Sequence, residues 1–219
     1  MKTMTKRIAS MALAVMMAVV MLASAVPTKA FAANPKGTLT ITNSNKEFND
    51  KTVTAWQMFS ATATADGANA SYTLNAEWEA FFKGNNLDDF TAKDKTGTEL
   101  SNAAVDYVTK LGQKNDPNVV AFAKKAADWA KAQKPALGAK RETTAKASGG
   151  AFVAEFTGLV YGYYVVSPEG GSTDVNTQRG TDAILANVVK DTQDVALKSE
   201  YPTVEKTVNN DTHADAQIG

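Results

Sequence analysis

The hydrophobic period of this chain changes twice, and the order of the periods restricts the fold more than any other feature. In "GTLTITN" (37–43) Leu39 and Ile41 alternate with threonines, the period-two pattern of a half-buried strand. "TVTAWQMFSATAT" (52–64) follows the polar turn "NSNKEFNDK". Strict alternation places Trp56 and Met58 on one face of it and Val53 and Phe59 on the other. Apolar groups on both faces predict a central or covered strand. Asp66-Gly67 reads as a hairpin turn, with Tyr72 to Leu74 as the returning strand.

From about residue 75 the spacing becomes helical. "NAEWEAFFKGN" predicts a short helix capped by Asn75, with Trp78, Phe81 and Phe82 on its apolar face and Gly84 at its end. "LSNAAVDYVTKLG" spaces Leu100, Ala104, Tyr107, Val108 and Leu111 for a second helix, stopped by Gly112. "DPNVVAFAKKAADWAKAQKP" carries the strongest helical signature. Asp116 is placed to cap it, Pro117 takes the first turn, and Val119, Phe122, Ala126 and Trp129 form a stripe. These stripes are narrow and alanine-rich, so the helices are expected to pack on another layer rather than on one another alone. "GAKRETTAKASGG" (138–150) reads as a polar linker. Strand patterns return in "AFVAEFTGL", "YGYYVVSP", "DAILANVV" and "QDVALKS". The sequence therefore predicts a mainly β, α+β domain: an antiparallel sandwich with a helical insertion over about 75–135, not a βαβ repeat.

The first 33 residues stand apart. Lys2, Lys6 and Arg7 precede a long uncharged apolar run, and small residues follow around Phe31. This is the plan of a secretory signal peptide, with cleavage expected after Ala32 or Ala33. A membrane anchor of similar length is the competing reading, and the small-residue site before Asn34-Pro35 favours removal. The membrane is thus expected to matter only through the signal peptide. An exported chain with 0 cysteines must be held by its core, a neighbouring domain or another covalent link. Lys+Arg and Asp+Glu both number 23, so no broad field for nucleic acid is expected. The single histidine, His213, lies in a polar run, which argues against a His-rich metal site and a Ser-His-Asp triad.

Several strings suggest chemistry that their setting does not support. "DKTGT" (94–98) occurs around the phosphorylated aspartate of P-type ATPases, but here it fits a turn before a helix. Asp174, Asp182, Asp191 and Asp194 lack the spacing of a calcium loop. Tyr161, Tyr163 and Tyr164 read as strand packing, with a glycan-binding platform as the alternative.

At Glu200-Tyr201-Pro202 a further boundary appears, and "PTVEKTV" starts a new alternating strand. Residues 34–200 are therefore read as one domain. Residues 201–219 are read as the first strand of a second β-sandwich domain that continues beyond Gly219. "FTGLVYGYYVVS" together with "AILANVVKDTQDVALKSEYPTVEKTV" resembles the N-terminal domain and first domain junction of sortase-assembled pilin subunits of Gram-positive bacteria. The resemblance extends over nearly all of the chain after the signal peptide and is most specific at the junction. It implies immunoglobulin-like domains, no cofactor and no enzymatic activity. It also implies covalent joining to other pilin subunits by sortase, attachment to cell-wall peptidoglycan, and contact with a host glycan or matrix protein.

The resemblance assigns particular residues. Lys206 matches the lysine that opens an isopeptide-forming domain, its partner asparagine lying beyond Gly219. Such a bond needs a neutral, desolvated amine as nucleophile. The lysine that attacks the sortase acyl intermediate usually follows Tyr-Pro directly, but here Thr203 occupies that place. Lys198 and Lys190 are the substitute candidates, with Lys206 itself a further one; the alternative is a subunit placed at the tip or base of the fibre. Related domains with an internal cross-link carry a lysine on the first strand, and "TLTIT" has none, so no internal cross-link is expected in 34–200. The sequence thus supports a fibre subunit first and a non-polymerising adhesin second. A cell-wall hydrolase lacks a convergent set of catalytic residues.

Overall fold

A computed structural model describes residues 35–64, 66–113, 116–169 and 183–197. The first strand, β1 (Lys36–Asn43), buries Leu39 and Ile41 completely and leaves its threonines partly exposed, following the sequence alternation. A 3-10 turn at Lys46–Phe48, β2 (Thr52–Ala63), β3 (Ala70–Leu74), a second 3-10 turn at Ala76–Trp78 and α1 (Glu79–Lys83) come next. α2 (Gly97–Lys110) and α3 (Pro117–Ala132) complete the helical part. β4 (Lys140–Thr144), β5 (Lys146–Ser148), β6 (Ala151–Val160), β7 (Gly162–Pro168), β8 (Ile184–Val188) and β9 (Thr192–Ala196) complete the strands.

Two sheets face one another. One has the order β5-β6-β1-β9, and the other runs β3-β2-β7-β8 with β4 also paired to β2. Leu39, Ile41, Phe156 and Val195 from the first sheet meet Val53, Tyr164, Val166 and Val188 from the second in a buried inter-sheet core. The opposite face of the second sheet is covered by helices. There Trp56, Met58, Phe59, Leu74, Val165 and Leu185 pack against Trp78, Phe81, Phe82, Leu100, Val108 and Phe122. The fold is a mainly β sandwich, antiparallel at every described strand pair except the parallel β1–β9 pair, with a third, helical layer on one sheet. β2 is covered on both faces, as its sequence predicts.

Phe59 departs from strict alternation. The β2–β7 register slips between Gln57 and Phe59, which pair with Tyr164 and Tyr163 in turn, so Met58 is the extra residue of a bulge. A bulge shifts the phase of alternation. Val53 and Ala55 face the inter-sheet core, whereas Phe59 joins Trp56 and Met58 beneath the helices.

The polar stretch 138–150 is also not a linker. It forms β4 on the edge of one sheet and β5 on the edge of the other. Between them Ala145 is fully buried, accepting from Asp50 N (2.9 Å) and donating to Lys51 O (2.9 Å). The chain thus changes sheets at one corner. Lysine-rich, exposed strands are a common way to blunt a sheet edge, which is why their composition looks like a loop. Gly149 and Gly150, both at positive φ, close the β5–β6 hairpin, a geometry that glycine adopts without steric cost.

Neither acid nor amide caps its helix as the sequence suggests. Asn75 makes no side-chain cap and donates to Gln57 O instead (2.8 Å), tying the helical layer to β2. Asp116 accepts from Gln113 N (2.6 Å), closing the turn ahead of α3.

Candidate functional site

The two terminal strands are direct neighbours. β1 and β9 pair in parallel over five rungs, from Thr38 with Thr192 to Thr42 with Ala196. Leu197 N continues the ladder to Thr42 O (2.8 Å). Because the strands run the same way, the chain enters this sheet at one end, near Lys36, and leaves it at the other, after Ala196.

The turn that feeds β9 carries Lys190, the one sequence-derived linkage lysine within the described residues. Its side chain is exposed, while the turn around it packs against β1, the 66–67 turn and Tyr161. A β-carbon on Gly37 would collide with the Lys190 carbonyl, and one on Gly67 would lie 2.9 Å from the Val189 carbonyl. Asp191 O accepts from Thr38 N (2.8 Å), and Asp191 Oδ1 accepts from the Tyr161 hydroxyl (3.2 Å). Desolvation and then the Asp191 bond raise the Tyr161 pKa, so the phenol stays the donor. The result is an exposed primary amine on a turn whose backbone packs closely against β1 and the 66–67 turn and is hydrogen-bonded to β1 at the next residue. Lys198, Lys206, Ala32 and Ala33 lie outside the described residues.

The tyrosines of β7 and its approach do not form a surface platform. Tyr161 and Tyr164 are buried. Tyr164 donates to Val160 O (2.6 Å), and Tyr163 packs on Phe59 and Tyr72 with ring centroids 6.3 and 6.2 Å away. Strand packing accounts for all three.

Two polar arrangements were not legible in the sequence. Lys131 on α3 donates to Ser167 Oγ on β7 (2.8 Å), and desolvation lowers the lysine pKa against the raising effect of Asp128. Ser167 is only 4% exposed, so this pair joins helix to sheet and offers no route for a substrate. The second is a groove of about 570 Å³ between the segment 87–92, α2 and the first half of α3. Tyr107 crosses it and donates to Asp89 Oδ1 (2.7 Å). Burial, followed by the Asp89 bond and charge, raises the Tyr107 pKa. Tyr107 is visible in the sequence only as one member of a helical stripe, and the loop acid that meets it has no local signal.

Among the described residues no group of acidic or histidine side chains is placed to hold a metal ion, and no helix is long and apolar enough to cross a membrane.

No family model matches the chain, and comparison with curated proteins gives no match. Among solved structures the chain is similar to the T6 backbone pilin of serotype M6 Streptococcus pyogenes, a modular three-domain structure decorated with variable loops and extensions. The identity is 12%, the TM-score 0.35, and the match covers 78% of this chain and 30% of that one. At that level the fold rests on this chain's own sheets and registers, and the match adds nothing about function.

Proposed function

We propose that this chain is a structural subunit of a covalently assembled surface fibre, exported and attached to the cell wall. The observation that carries the reading is the parallel β1–β9 pair. Tension applied between the entering and leaving chain pulls the two strands past one another along their length. All rungs of the ladder then resist together, whereas a pair pulled from one end opens one rung at a time. Forced unfolding is governed by the unfolding barrier rather than by equilibrium stability, so this topology resists tension without an unusually large core. Entry and exit at opposite ends also suit modules joined in series.

Lys190 is the acceptor that fits such assembly within the described residues, because it offers an exposed amine on a braced turn beside the exit strand. Lys198 follows the end of the exit strand and is the second candidate. Lys206 is assigned the intramolecular isopeptide of the domain that follows. The test is expression of the whole gene product in cells with and without their sortase. A ladder of high-mass species that survives boiling in detergent and vanishes without sortase is expected, as is its loss in the double variant Lys190→Arg, Lys198→Arg. A single wall-bound species in all strains contradicts polymerisation. Mass spectrometry of the intact protein should show the loss of one ammonia and a cross-linked peptide containing Lys206. An ordinary linear Lys206 peptide removes that assignment.

A further inference from the structure

We infer that the groove between α2 and α3 binds a neutral carbohydrate. Its floor is Phe90 and Phe122, both almost wholly buried, and its middle is the half-buried Tyr107. The Phe90 and Tyr107 rings meet edge-on with centroids 5.5 Å apart, which fixes the tyrosine ring. The rim is polar and mixed in sign, with Asp89, Asp106 and Asn118 set against Lys110 and Lys125. A pyranose ring has an apolar face of C–H groups and an equator of hydroxyls, each both donor and acceptor. The half-buried Tyr107 ring with Ala103, Leu111 and Ala121, backed by the buried phenylalanines, offers contact to the C–H face, and the rim of carboxylates, an amide and ammonium groups meets the hydroxyls.

The charges decide between ligand classes. Two carboxylates and two ammonium groups cancel, so neither an anion nor a cation gains from the rim as a whole. A neutral polyol can instead donate to the acids and accept from the lysines. Asp89 is already oriented by the Tyr107 hydroxyl through one oxygen, and a carboxylate has acceptor capacity for further donors. The volume falls within the range of small-molecule sites and would hold two or three sugar units. Both long walls are helices, so an extended peptide finds no strand edge there to pair with.

This inference does not depend on the fibre reading, because a polymerising or a solitary subunit could carry the groove equally. The test is an amide-shift titration of the mature chain with lactose, maltotriose and chitotriose at millimolar concentrations. Saturable shifts confined to 87–92, 103–111 and 118–125 with at least one sugar are expected. Asp106 and Asn118 are exposed, so Asp106→Ala and Asn118→Ala should keep the melting temperature and each weaken that binding roughly five- to tenfold, one hydrogen bond's worth. No saturable shift with any of the three sugars overturns the inference. So do shifts mapping elsewhere, equal affinity in both variants, or a response to sialic acid or an acidic peptide alone.

Discussion

Replacing Phe59 by alanine tests how the bulge at Met58 aims this side chain. Phe59 is fully buried, with its ring 6.1 Å from that of Phe82 and 6.3 Å from that of Tyr163. Truncating a buried phenylalanine costs about 3–5 kcal/mol. With a urea dependence of roughly 2 kcal/mol per molar, the unfolding midpoint should fall by about 2 M. The loss alone does not reveal which face the ring occupies, since either core would suffer. A double-mutant cycle does. Phe59→Ala with Phe82→Ala should show a coupling of about 0.5–1.5 kcal/mol, the usual worth of an aromatic pair beyond its burial. Phe59→Ala with Ile41→Ala, a residue of the inter-sheet core, should be additive to within about 0.5 kcal/mol. Coupling to Ile41 and additivity with Phe82 would refute the re-aimed side chain and with it the bulge.

Other outcomes follow from single contacts. The Tyr72 hydroxyl donates to the buried Asn187 (2.9 Å), so Tyr72→Phe strands an amide oxygen and should cost about 1–3 kcal/mol in urea unfolding. Burial also pushes the Tyr72 pKa up to about 12, above the ordinary value of 10.0. The unfolded chain therefore releases this proton first, and stability is full below pH 10 and falls from pH 10 to about 12. The slope from this residue is at most ~1.4 kcal/mol per pH unit; alkaline denaturation should become shallower in Tyr72→Phe. Tyr163 and Tyr164, whose pKa values burial also raises, act in the same direction. Gly37→Ala forces a β-carbon into the Lys190 carbonyl, a backbone atom that cannot swing aside, and should cost about 1–3 kcal/mol by thermal melting. A variant as stable as the parent would mean that the turn carrying Lys190 is not braced by β1.

The sequence spoke clearly wherever one residue type had one job. β1 was legible because its leucine and isoleucine face the core and its threonines face outward. α3 was legible because proline and the apolar stripe agree. Phe59 was not, because the extra residue that shifts its phase is an apolar methionine and leaves no mark in composition. β4 and β5 were hidden because edge strands that carry lysine, arginine, serine and threonine share the composition of a loop. The candidate sites depend on contacts between distant segments, such as Asp89 with Tyr107 or Gly37 with the Lys190 turn, and no local pattern encodes them. What the sequence did contain was the lysine itself and the strand period on either side of it.

The central claim is that this fold meets tension by shearing β1 against β9. The chain has 0 cysteines, so paired cysteine handles can be placed without interference. Single-molecule pulling through Lys36→Cys and Ala196→Cys loads the parallel pair along its length. Pulling through Lys36→Cys and Val160→Cys, which face one another at the start of the antiparallel β1–β6 pair, opens that pair from its end. The account predicts a clearly higher rupture force for the first geometry at equal loading rate. Equal forces, or a weaker first geometry, would contradict it.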